Sequence, residues 1–241
     1  MNRDMHFEWS PKLAYIVGLI ATDGSLSKDK RHVDFTSMDV QLLKTFKDCL
    51  VLKNRICVKS NYQNPNKKYF HLQFGHVKFY KWLLSLGLMP NKTGRLGKIK
   101  IPNRYFKDFL RGHMDGDGSI FTYNDRYMSY KGKRYSYNRL YSVFNSTSFA
   151  HLKWIQGLIK KHLNITGSLS SYLKKDRKLS LWSLRFTKKD SLKILSWLYY
   201  KPDLPCLYRK RKIAEVFLKN HPYGFNSHLQ HKFSRITCRI S

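Results

Sequence analysis

Two acids in a basic chain invite a chemical reading. Asp23 closes LIATD (19–23), and Asp117 lies in HMDGDGSIF (113–121) with Asp115 two residues before it. Asp23 and Asp117 stand 94 positions apart, and each is followed by Gly, Ser and an aliphatic residue. Two carboxylates brought within about 4 Å repel by about 4 kcal/mol at an effective dielectric of about 20. At helix C-termini the dipole adds about 0.3–1 kcal/mol to that cost. A divalent cation removes both penalties. Oxygen ligands beside phosphate suit Mg²⁺, which binds through one or two carboxylates and keeps several waters. A lone Asp-Gly at a helix end is ordinarily a turn; two copies at matching helix ends point instead to a shared cation.

The elements that must position these acids are legible nearby. SPKLAYIVGLIATDG has Ser10 as N-cap, Pro11 at the first helical position and Gly24 at the stop. PNRYFKDFLRGHMDGDG repeats the plan, with Asn103 expected as cap and Gly118 as stop, so that each helix would end on its aspartate. Ala14, Gly18 and Thr22 share one face of the first helix, and Gly112 and Gly116 one face of the second. Small residues at this spacing let two helix backbones touch. That crossing would bring Asp23 and Asp117 together.

The duplication continues downstream. Phe35 pairs with Phe144 and Ser37 with Ser146 at an offset of 109, then Leu72 with Leu184, Phe74 with Phe186 and Pro90 with Pro202 at an offset of 112. The growing offset places an insertion, TYNDRYMSYKGKRYSYNRLYS, in the second half, read as an extended hairpin turning near Lys131-Gly132. RICVKSNY, YFHLQF, SLSSYL and SLWSLRFT read as strands, and segments near 40–51, 77–86, 149–163, 190–200 and 208–219 as amphipathic helices. The expected fold is α+β, a pseudo-twofold duplicated αββαββα arrangement. Its expected divisions are an N-terminal half (1–90), a linker (91–102), a C-terminal half (103–220) and a basic tail (221–241).

The partner follows from charge. Lys and Arg number 46 against 15 Asp and Glu, a formal net charge of +31, and this predicts a polyanion. The basic residues spread along the whole chain rather than lining one helix, which favours nucleic acid over a membrane surface. The longest apolar run, Leu13–Ala21, is broken by Gly18 and too short to span a bilayer, and the N-terminal MNRDMHFEWS lacks the apolar stretch of a secretory signal. Cys49, Cys57, Cys206 and Cys238 show no CxxC spacing and are expected to be reduced rather than zinc-bound. An intracellular location is expected, in a prokaryotic cytoplasm or an organelle.

Strand alternation sets Leu72 and Phe74 against Tyr69, His71 and Gln73, and Trp182, Leu184 and Phe186 against Ser183 and Arg185. It also sets Ile56 and Val58 against Arg55, Lys59 and Asn61. Polar and basic side chains on one face of a ribbon suit base-edge readout in a major groove. Lys131 and Arg134 of the hairpin extend this candidate surface. Lys98, with Lys92, Arg95 and Lys100, is expected to touch phosphate from the linker.

IVGLIATDG (16–24) and LRGHMDGDG (110–118) resemble the nine-residue motif of the LAGLIDADG homing endonucleases in their single-chain form, and the likeness in element order extends over about residues 10–219. The resemblance implies a saddle of antiparallel strands in the DNA major groove, with the motif helices at the interface between halves. It also implies metal-dependent cleavage of both strands of a long double-stranded site, leaving short 3′ overhangs. Carried over by position, Asp23 and Asp117 would hold the metal, with Thr22 and Gly116 beside them in the site. Mg²⁺ is the expected ion, Mn²⁺ a substitute, and Ca²⁺ an ion that supports binding without cleavage. The motif's earlier acid is Ala21 in one copy and Asp115 in the other, so Asp115 is secondary, and His113 is read as structural. The family's lysine beyond the fourth strand corresponds to Lys188, a third catalytic candidate, with His76 as its counterpart in the first half. Ser37 and Ser146 are secondary candidates for ordering water. The same scaffold serves maturases acting on intron RNA and regulators that have lost the acids, so intron RNA is a second candidate partner and a non-cleaving DNA binder an alternative reading. The chain is expected to act as a monomer containing an internal pseudo-dimer.

Overall fold

A computed structural model describes residues 7–59, 68–130, 133–173 and 179–219. The first motif helix, α1 (Pro11–Thr22), begins as its sequence dictates: Ser10 Oγ accepts from the Leu13 amide at 3.1 Å and Pro11 opens the first turn. Asp23 caps its C-terminus through an N–H donated to the Leu19 carbonyl at 3.0 Å. There follow β1 (Gly24–Leu26), β2 (His32–Ser37), α2 (Val40–Cys49), β3 (Cys57–Lys59), β4 (Tyr69–Gly75) and α3 (Val77–Ser85). The second half repeats the order with α4 (Phe106–Asp115), β5 (Ser119–Tyr130), β6 (Lys133–Ser146), α5 (Phe149–Leu163), β7 (Ser168–Tyr172), β8 (Leu181–Phe186) and α6 (Lys188–Leu198), then adds α7 (Tyr208–Leu218).

Two four-stranded antiparallel sheets result, ordered β1-β2-β4-β3 and β5-β6-β8-β7. Their registers carry the duplication. Phe35 faces Leu72 across β2–β4, and Phe144 faces Leu184 across β6–β8, the same two pairs that the repeat comparison equates. All four are fully buried, on the face each sheet turns toward its helices. Alternation then leaves Gln73 and Arg185 exposed on the opposite, open face, with Tyr69 and His71 partly so. The long hairpin lies where the insertion predicts, although its turn at Lys131-Gly132 falls outside the described residues. None of the described helices is long and apolar enough to cross a membrane.

Three local expectations are corrected. Asn103 does not cap α4: residues Asn103–Tyr105 form a 3-10 turn, and the α-helix starts after it at Phe106. The helix also closes at Asp115 with Gly116 as its C-cap, so Asp117 lies past the helix end rather than on it. Val58 is not a core residue. The edge strand β3 is exposed along its whole length, Val58 by 63%, because only β4 pairs with it and no helix covers it.

Candidate active site

The two motif helices cross backbone to backbone. A Cβ added to Gly18 would lie 2.1 Å from the Phe109 carbonyl oxygen, and one added to Gly112 would lie 2.1 Å from that of Tyr15. Only glycine permits that approach. One turn further along, a Cβ on Gly116 would meet Thr22 Oγ1 at 2.0 Å and Asp23 Oδ2 at 3.1 Å. The crossing therefore carries the Asp23 carboxylate to the end of α4, beside the segment that bears Asp117.

Two lysines unassigned to this site by the sequence complete it. Lys92, expected as a linker phosphate contact, donates its ammonium to the Gly24 carbonyl. Lys210, on α7, donates to the Gly118 carbonyl at 2.7 Å and also to Met114, Asp115 and Gly116 at 2.6, 2.9 and 3.3 Å. Gly24 and Gly118 are the residues after the two motif acids, so the lysines occupy pseudo-equivalent places. No local motif signals this pairing. Aligning the halves on Pro90 and Pro202 sets Lys92 against Leu204, six residues short of Lys210.

The electrostatics are those of a crowded charge cluster. Burial, then the negative charge of Asp117, pushes the Asp23 carboxyl up to about 7, against the pull of Lys210 and Lys92. Asp117 opens to solvent, yet the protein around it removes enough water to raise its pKa, with Lys92 and Lys210 opposing the rise. Burial lowers Lys92, and both acids pull it back up. Lys210 falls to about 8 through burial, with Asp115 its strongest counterweight. Four carbonyl oxygens aimed at that ammonium favour its charged form.

Asp115 answers to a different demand. It is fully buried, and one oxygen accepts from Tyr15 Oη at 2.9 Å and from the Leu207 amide at 2.7 Å. It ties α1, α4 and the start of α7 together. His113 is likewise buried, its ring stacked on His151 with centroids 5.3 Å apart. Both residues hold the interface that delivers the acids.

The remaining candidates scatter. Lys188 opens α6 with its ammonium 5.9 Å from the Phe217 ring, and the cations acting on both acids are Lys92 and Lys210. His76 is the N-cap of α3, its Nδ1 accepting from the Phe79 amide at 3.0 Å. Ser37 and Ser146 each accept the amide two residues on, both at 3.1 Å, and so shape the entries to α2 and α5. Thr22 Oγ1 donates to the Leu19 carbonyl at 2.9 Å, while the Gly116 carbonyl is taken by Lys210. Arg55 and Lys59 are exposed at β3. Lys98 lines an open apolar groove along α5 with Phe149, Lys153 and Trp154. Asn61 and Lys131, and the Arg134 side chain, lie outside the described residues.

For a divalent cation the donor set fits in chemistry: two carboxylates both raised by burial, Asp23 further raised by Asp117, and reached by solvent at Asp117. Among the described residues no group of three or more His, Cys, Asp or Glu side chains is placed to hold an ion. The remaining oxygens would come from backbone, water and substrate phosphate, as suits Mg²⁺.

Comparison with known proteins bears on the fold that carries this site. Residues 10–74 match the model of the LAGLIDADG-like domain. Comparison with curated proteins found no match. Among solved structures, the meganuclease I-SmaMI bound to uncleaveable DNA superposes with a TM-score of 0.55 at 16% identity, over 88% of each chain. Meganuclease I-AabMI bound to uncleaved DNA gives 0.54 at 15% identity, over 88% of this chain and 90% of that one. Full-length DUF199/WhiA from Thermatoga maritima gives 0.52 at 15% identity, over 96% of this chain and 68% of its own. Residues 10–74 thus match the LAGLIDADG-like domain model, and the chain shares the fold of these LAGLIDADG meganuclease structures over about 88% of its length.

Proposed function

We propose that this chain is a divalent-metal-dependent, site-specific endonuclease that breaks both strands of a long double-stranded DNA target. The observation that carries the reading is the pairing at the helix crossing. The Asp23 carboxylate lies at that crossing within electrostatic reach of Asp117, and two lysines reach in, each donating to the carbonyl of the glycine that follows an acid. A DNA-binding protein without chemistry has no use for a like-charge pair of acids at the end of its central helices within a net charge of +31.

Asp23 and Asp117 would hold the cation. When bound, it supplies charge neutralisation at the phosphate and an acidified water. The chain's own part is positional and electrostatic. Lys92 and Lys210 place positive charge beside the acids, where negative charge grows on the phosphate oxygens during attack. Lys92, held by one carbonyl, can turn toward the substrate, whereas Lys210 is held by four. Mg²⁺ with Mn²⁺ as substitute, short 3′ overhangs and a monomeric state belong to the same proposal.

The test is selection from a randomised duplex library, with cleavage followed in Mg²⁺ and binding in Ca²⁺. Asp23→Asn and Asp117→Asn should each abolish double-strand cleavage and retain the selected site. Binding without cleavage by the wild-type chain at every divalent ion tried would leave a plain DNA binder, and preference for structured RNA over duplex would leave a maturase.

A further inference from the structure

Acids on the open sheet faces need explaining, because a carboxylate facing phosphate repels it. On the second sheet, Asp125 of β5 is joined to Arg139 of β6 by an Nη2–Oδ2 bond of 2.9 Å. The pair is diagonal: Asp125 stands opposite Tyr137, and Arg139 opposite Tyr123. An ion pair this open contributes little to stability, and its service lies in orientation. The guanidinium also has ring neighbours. Its Cζ lies 6.0 Å from the Tyr137 ring, and the ladder Tyr123–Tyr141–Phe121 beside it is stacked with centroids 5.9 and 5.1 Å apart. Arg139 Nε is buried with no hydrogen-bond partner among the described residues.

We infer that Arg139, oriented by Asp125, reads a guanine in the half-site lying on the second sheet. The inference rests on the duplex-DNA reading above. Charge decides between phosphate and base. With Asp125 bonded to it, Arg139 presents almost no net charge, so it releases no counterion and gains little at a phosphate. What it retains is a set of fixed, directional N–H donors. In the major groove guanine alone offers two acceptors side by side, O6 and N7, and arginine matches them bidentately. Arg185 differs, since it stacks 5.5 Å from the Tyr141 ring and bonds to no acid among the described residues.

The test is the same Ca²⁺ selection, run on wild type, Arg139→Ala and Asp125→Asn, with the salt dependence of binding measured for each on the selected site. For the wild-type chain, a guanine should be fixed at one position of one half-site. Arg139→Ala should relax that position by about tenfold or more, leave the others unchanged, and keep the slope of log K against log salt. Asp125→Asn should relax the same position and steepen the slope, because it releases a positive charge. A uniform loss of affinity in Arg139→Ala, with the slope smaller by about one phosphate contact (~0.9), would make Arg139 a backbone contact and overturn the inference. Failure of wild type to select any duplex would instead overturn the DNA reading on which it rests. Circular dichroism checks the fold of both variants, and since Arg139 is 42% exposed both should retain it.

Discussion

Gly18→Ala is the sharpest test of the helix crossing on which the site depends. The new methyl would sit 2.1 Å from the Phe109 carbonyl oxygen, 2.9 Å from the His113 nitrogen and 3.0 Å from the Gly112 Cα. All three neighbours are backbone, so no rotamer change relieves the clash. α1 and α4 must separate by about 1 Å, and a gap of that size forfeits a quarter to a half of each dispersion contact across it. The interface so opened includes Tyr15, Phe109 and Met114, all fully buried, and the Tyr15–Asp115 bond. Ordinary overpacking costs about 1–3 kcal/mol; a methyl trapped between two helix backbones belongs above that range, at about 3–5 kcal/mol. The internal control is Gly157→Ala on α5, where a Cβ meets nothing within 4 Å. That change should stabilise by about 0.5–1 kcal/mol through helix propensity alone. Urea unfolding of the three proteins, compared by midpoint at constant slope, gives both numbers. A loss below about 1 kcal/mol in Gly18→Ala would show that the helices do not touch as described, and the placing of Asp23 beside α4 would fall with it.

Lys210→Met strips the C-terminal carbonyls of α4 of their ammonium and should destabilise the protein by about 2–4 kcal/mol in the same assay, since buried acceptors lose their donor. Lys92→Met, with a single carbonyl partner, should cost far less stability but slow DNA cleavage strongly, whereas Lys188→Met on the exposed start of α6 should leave strand-specific cleavage rates near wild type. The stacked His113–His151 pair predicts acid lability. Burial depresses both, His151 to about 4, while the unfolded value is about 6.5. A depressed histidine adds stability fully present above about pH 6.5 and lost as pH falls through the folded value, so unfolding free energy should drop by about 3 kcal/mol from His151 alone between pH 6.5 and 4. His151 Nδ1 faces the Gly97 carbonyl and feels Lys92, and His113 feels Lys210. Asp23, raised to about 7, and the raised Asp117 and Asp115 gain stability as pH falls through the same window and oppose the histidines, so the histidine contribution is read as the difference between wild type and His151→Leu. A profile between pH 6.5 and 4 whose slope is the same in wild type and His151→Leu would refute the assignment.

The fold was legible because its signals are local and repeated. Ser10 and Pro11 announce α1, period-two burial announces β4 and β8, and Phe35/Leu72 and Phe144/Leu184 give the same register twice. Gly18 and Gly112 could be read as a crossing because four-residue spacing is a property of one helix face. The lysines were not legible. Lys92 and Lys210 come to the acids from irregular chain and from a helix with no partner in the first half, so neither repeat alignment nor periodicity could single them out among 46 basic residues. Asp115, read as secondary, owes its structural role to contacts no pattern encodes: it is buried and bonded to Tyr15 and Leu207. The missing cap at Asn103 reflects a 3-10 entry whose side-chain requirements are weaker than those of an α-helix.

The duplication is therefore symmetric in its carboxylates and asymmetric in what holds them. Asp23 needs only the end of α1 and one lysine contact nearby, and the equivalent of Asp115 in that copy is Ala21. Asp117 lies past a helix that ends at Asp115, and its segment is tied back by the Gly116 N–H to the Gly112 carbonyl at 3.0 Å and the Gly118 N–H to that of His113 at 3.2 Å. Lys210 and Asp115 add further restraint by joining residues 114–118 to α7 and to the Leu207 amide. The helix α7, without counterpart in the first half, is thus bonded to the second acid's own segment. In a two-acid site each carboxylate must be held as firmly as the other, or the cation between them has no fixed place. A helix added to one half only is what that requirement demands of a chain whose second motif helix stops two residues short of its acid.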